Sequence, residues 1–88
     1  MNAQGFITVA SVIGAAIAMA LGAFGAALGE SRIGAAAMDA LARQPDEAPA
    51  ITRSMFVGLA MVESTAIFCL VIALILLFAN PFGVLKAG

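Results

Sequence analysis

The sequence predicts an all-α membrane protein, a hairpin of two transmembrane helices joined by a short polar loop. Three observations carry this. Of the 88 residues, 64% are hydrophobic and only nine are charged, and a soluble domain of that size buries only a modest fraction of its surface. The charges are also confined: residues 1–29 and 64–85 carry none, while eight of the nine lie between Glu30 and Glu63. The centre of that stretch, "RQPDEAP", sets Pro45 and Pro49 among charged and amide side chains, which is turn composition.

The first helix is expected over about residues 5–42. A span needs roughly 20 apolar residues to cross about 30 Å of hydrocarbon, and the uncharged N-terminal run supplies more. The leading Met1-Asn2-Ala3-Gln4 has no basic residue, and the apolar run outlasts a signal-peptide core, so a cleaved leader is not expected. Gly14, Gly22, Gly25 and Gly29, interleaved with Ala15, Ala16, Ala18, Ala20, Ala23, Ala26 and Ala27, make helix 1 a surface on which another backbone can approach closely. A lone hairpin has too little interior to use it all. The expectation is an oligomer in which helix 1 packs against copies of itself.

A polar loop is expected over 43–48, and helix 2 over 49–79, ending near Asn80-Pro81 before a tail of 80–88. At ~1.5 Å per residue both helices exceed the bilayer thickness, so their loop ends should stand clear of it. Arg32, Arg43 and Arg53 flank the loop and only Lys86 lies at the far end. The loop is therefore expected in the cytoplasm and both termini on the periplasmic side. The whole chain reads as one hairpin domain, 1–88.

Composition also excludes functions. Net charge is −1 and His, Trp and Tyr are absent, so there is no electrostatic footprint for nucleic acid. The single cysteine, Cys69, sits in the apolar run Phe68-Cys69-Leu70-Val71. It is expected to be a small residue facing lipid or a partner, since a metal site needs clustered ligands.

Two carboxylates stand out. Glu30 lies 16 residues before Asp46 at the loop centre, and Glu63 lies 17 after it. In an antiparallel hairpin both come to about the same depth, roughly 25 Å from the loop tip. Charges at such depth are costly and usually mark ion pathways or proton relays. A pair of carboxyls there can hold a proton reversibly or share a cation. No basic residue of helix 2 beyond Arg53 offers Glu63 a structural ion pair, whereas Glu30 has the alternative of pairing with nearby Arg32. Ser64 and Thr65 have two readings: bonding back onto their own helix, or serving the Glu63 site as donors or cation ligands.

Taken together, these residues resemble the ring-forming c subunit (proteolipid) of F-type rotary ATP synthases, over essentially the whole chain. The turn Ala42-Arg43-Gln44-Pro45 matches the family's Arg-Gln-Pro loop. The Gly/Ala-rich helix 1 is similar to its GxGxG strip, and Glu63 with the following "LVIALILLFANPF" matches its ion-carrying carboxylate and C-terminal half. The resemblance implies a homo-oligomeric ring with helix 1 inside and helix 2 outside, and no covalent catalysis in this chain. It implies that Glu63 exchanges an ion with a stator a subunit and crosses the lipid neutralised. It further implies that Arg43, Gln44 and Pro45 seat the central-stalk subunits gamma and epsilon.

Three positions depart from the pattern. Glu30 stands where sodium-coupled rings often carry Gln, Phe68 replaces a Tyr donor, and Ala23 and Ala27 replace strip glycines. The double acid with Glu-Ser-Thr is similar to the N-type subclass, a second rotary ATPase of some bacteria, which implies a bacterial inner membrane. The resemblance calls for no cofactor, only a transported ion. A sodium site would draw on Glu63, Glu30, Ser64 and the Met61 carbonyl, with Thr65 beside them; the missing Tyr donor and the need to neutralise one acid of the pair favour the proton. The added methyls of Ala23 and Ala27 on the inner wall predict a ring toward the large end of the family's range. Rival readings are a small multidrug-type antiporter, disfavoured by two spans without Trp or Tyr, and a purely structural membrane oligomer, which leaves the depth-matched acids unexplained.

Overall fold

The computed structural model describes residues 2–79. The expected helix end at Asn80-Pro81, the tail 80–88 with Lys86, and Met1 lie outside the described residues. The chain is a rod 64 Å long and 17 by 11 Å across, formed by two antiparallel helical arms. The first, α1, runs Ala3–Arg43, and the second comprises α2 at Ala48–Leu74 and a π-helical turn at Ile75–Ala79. Both arms are long and apolar enough to cross a membrane.

Local chemistry sets the ends. Asn2 caps α1, its side-chain oxygen accepting from the Gly5 N–H at 2.7 Å, which satisfies one of the orphan donors of a first turn. At the other end the Gln44 N–H closes the helix onto the Ala40 carbonyl at 2.8 Å. Arg43, in the last turn, places a positive charge at the negative end of the helix dipole. Pro45 then starts a single 3₁₀ turn, Pro45–Glu47, and Pro49 sits in the first turn of α2, where a missing N–H costs nothing. Two helix ends and one tight turn reverse the chain.

The interior is made of alanine. Among the described residues the buried positions are Ala15, Ala26 and Ala37 of α1 and Ala66 and Ala73 of α2. The large side chains point the other way: Leu21, Phe24, Phe68 and Phe78 are all more than 60% exposed. A soluble fold buries its large residues and exposes its small ones, and this hairpin does the reverse. Its outer surface is built for lipid or for other copies of the chain, with the small residues letting two backbones close together.

Ala15, Ala26 and Ala37 recur every 11 residues, close to three turns of a straight helix. The contact line therefore stays on one face along the whole of α1. Gly22 meets Cys69, Gly29 meets Val62, and Gly58 of α2 meets Ile33. A step of seven and then four along α1 is matched by equal steps back along α2, so the register holds without slippage.

Candidate ion-binding site

The contact between Gly29 and Val62 determines where the two acids go. Glu30 and Glu63 each follow one of these residues. On antiparallel helices a step of one residue in each chain direction turns both side chains to the same edge of the pair, with an axial offset of about 3 Å. The Glu30 and Glu63 side chains therefore leave the two helices toward that one edge, at nearly the same depth. Glu30 is half-buried and Glu63 is exposed. The alternative for Glu30, a structural pair with Arg32, is not formed; Arg32 is exposed and the ion pair of the described residues is Arg43 with Asp39.

The hydroxyls beside Glu63 are occupied by their own helix. Ser64 Oγ donates to the Ala60 carbonyl at 2.8 Å, and Thr65 Oγ1 donates to the Met61 carbonyl at 3.4 Å. Of the two readings open for these residues, the structure shows back-bonding. The Met61 carbonyl, a ligand of the sodium reading, is thus already an acceptor within α2, and the Met61 side chain faces outward, 69% exposed. Among the described residues no group of three or more acidic, His or Cys side chains assembles. What converges is a pair of carboxyls flanked by hydroxyls that donate to their own helix.

The glycines divide in a way that spacing alone does not reveal. A Cβ on Gly22 would lie 2.6 Å from both Cβ and Sγ of Cys69, one on Gly29 would touch Val62 at 3.5 Å, and one on Gly14 would touch Leu76 at 3.5 Å. These three face the second arm of their own chain, Gly22 and Gly29 meeting α2 and Gly14 the π-helical turn, where helix 1 of a second copy was the expected neighbour. Only Gly25 of the four has open space around it. Cys69, half-buried, packs against Gly22 of α1 in its own hairpin. Ala23 and Ala27 are exposed, off the contact line.

At the turn, Arg43, Gln44 and Pro45 are all exposed. Arg43 Nη2 donates to the Asp39 carboxylate one helical turn back. The i,i+4 spacing of these two residues was a legible signal for that pair, though the loop motif itself draws attention to Arg43 alone.

Comparison with known proteins gives this arrangement its context. Residues 13–76 match the family model for the C subunit of ATP synthase. The chain is 60% identical over 76 residues to the ATP synthase c subunit numbered 2 of Cereibacter sphaeroides, covering 86% of this chain and 92% of that one. It is 50% identical over 74 residues to the ATP synthase c subunit of a Synechococcus strain, covering 84% and 91%. It is 43% identical over 80 residues to the chloroplastic c subunit of Cyanidioschyzon merolae, covering 91% and 99%. The matched span contains most of both arms, both acids and the turn, and the chain therefore belongs to the ATP synthase c-subunit family, the non-catalytic membrane subunit of that complex.

Proposed function

We propose that this chain is the ion-carrying subunit of a homo-oligomeric rotor ring, with Glu63 as the carrier group and the proton as the ion. The observation that carries the reading is the placement of Glu30 and Glu63 on one edge of the hairpin at nearly the same depth, set by the contact of Gly29 with Val62. An ionised side chain at the bilayer centre costs about 2.5–3.5 kcal/mol on insertion scales. A Glu63 facing lipid is therefore tolerated when neutral and resisted when charged. Rotation is permitted only with the site filled, which couples ion passage to turning.

In this reading Glu63 takes up a proton from one half-channel of the stator a subunit, passes through lipid neutral, and releases it in the other half-channel. Glu30 is the second acceptor of the pair and sets how firmly the proton is held. Arg43, Gln44 and Pro45 meet the gamma and epsilon subunits of the central stalk from the cytoplasmic side, with both termini periplasmic in a bacterial inner membrane. The second acid, together with the run Glu63-Ser64-Thr65, favours the N-type subclass.

The proton is favoured over sodium because two carboxyls on one edge repel unless one is protonated, and because Phe68, 71% exposed, supplies no donor to lock a sodium site. Carbodiimide labelling of Glu63 at neutral and alkaline pH tests this. Labelling that falls as pH rises, and is unaffected by millimolar Na⁺, is the expected result; protection by Na⁺ assigns the site to sodium.

A further inference from the structure

Arg43 is the last residue of α1, and its guanidinium is held by Asp39, four residues back, and not by Asp46 or Glu47 of the turn. Both side chains of the pair are largely exposed. The contact therefore satisfies no buried group, and pairs of this kind add little to helix stability. What it determines is direction. The backbone beneath Arg43 is already anchored, because the Gln44 N–H bonds the Ala40 carbonyl. The long side chain is the remaining freedom, and Asp39 lays it along the wall of α1 instead of across the acidic turn.

A guanidinium offers five N–H donors in a planar fork. Asp39 engages one nitrogen, Nη2, and the rest of the fork stays available to acceptor oxygens of a docking surface. We infer that Asp39 is a positioning residue for stalk contact, holding the Arg43 guanidinium in the rotamer in which the loop is met. The inference rests on the reading of Arg43, Gln44 and Pro45 as the stalk-contact loop, and it adds a residue outside that motif. Because a ring presents the same pair on every copy, a small orienting effect is repeated at each protomer in contact.

The test uses the assembled complex in membranes, washed with increasing NaCl while the released ATPase activity is measured. Asp39→Asn should weaken retention of the catalytic head about twofold for each protomer engaged, so that release occurs at lower salt. Asp39→Glu should restore wild-type retention, and the amount of ring on SDS gels should be equal in all variants. In an Arg43→Ala background, Asp39→Asn should add nothing. Wild-type retention by Asp39→Asn, or an equal further loss when it is added to Arg43→Ala, overturns the inference while leaving the loop reading intact. Wild-type retention by Arg43→Ala overturns the loop reading, and the role of Asp39 with it.

Discussion

Replacing Gly22 by alanine should open the hairpin, although alanine is the better helix former. A Cβ at this position would lie 2.6 Å from the Cβ and the Sγ of Cys69. The sulfur can rotate away, but the Cβ of Cys69 is fixed to its backbone, so the helices must move apart by several tenths of an ångström. Overpacking of this kind typically costs about 1–3 kcal/mol, against roughly 0.5–1 kcal/mol gained by replacing a helical glycine. The net expectation is a loss of about 1–2 kcal/mol. Gly25→Ala, with nothing within 4 Å of its new methyl, keeps the propensity gain and has no clash inside the hairpin. The assay is a maleimide pulse against Cys69 as SDS is titrated into protein held in mild detergent. Gly22→Ala should expose the thiol at a lower SDS fraction than wild type, and Gly25→Ala should not. Cys69→Ala should fail to rescue Gly22→Ala, since the offending Cβ remains, while Cys69→Gly should restore the heat stability of rings on SDS gels. Unchanged labelling in Gly22→Ala, or failure of rescue by Cys69→Gly, would refute the reasoning.

Glu63→Gln should assemble rings that do not transport, because the amide keeps the shape and loses the titratable proton; ATP hydrolysis still coupled to pumping in reconstituted vesicles would remove Glu63 from the mechanism. Glu30→Gln should retain turnover and shift the pH dependence of carbodiimide labelling at Glu63, since it removes the second acid from the shared edge; an unshifted profile would make Glu30 structural. Ser64→Ala should change labelling little, its hydroxyl being bonded to the Ala60 carbonyl; a large change would show that the hydroxyl turns to the carboxyl in the working ring. The exposed Ala23 and Ala27 should keep neighbouring copies slightly apart on the inner wall, giving a ring at the large end of the family's range. Subunit counts by microscopy should fall in an Ala23→Gly/Ala27→Gly double variant, and a small wild-type ring would refute the expectation.

The fold class was legible because the bilayer imposes a length on any span, and the positions of nine charges in 88 residues leave few ways to meet it. The equal distances of Glu30 and Glu63 from the loop were legible for the same reason, since helical rise turns chain distance into depth. Sequence could not decide the orientation around each helix. Gly22, Gly25 and Gly29 read alike as members of a small-residue strip, and α1 carries small side chains on more than one face. Only the α1–α2 register shows that Gly22 and Gly29 receive Cys69 and Val62 of the same chain while Gly25 is left to whatever lies outside. The hydroxyls of Ser64 and Thr65 were likewise undecided, because a side chain one turn from a helix carbonyl with a spare lone pair and beside a carboxyl can serve either. Composition and rise determined how deep each residue sits; which way it faces was decided by the close approach of two particular backbones.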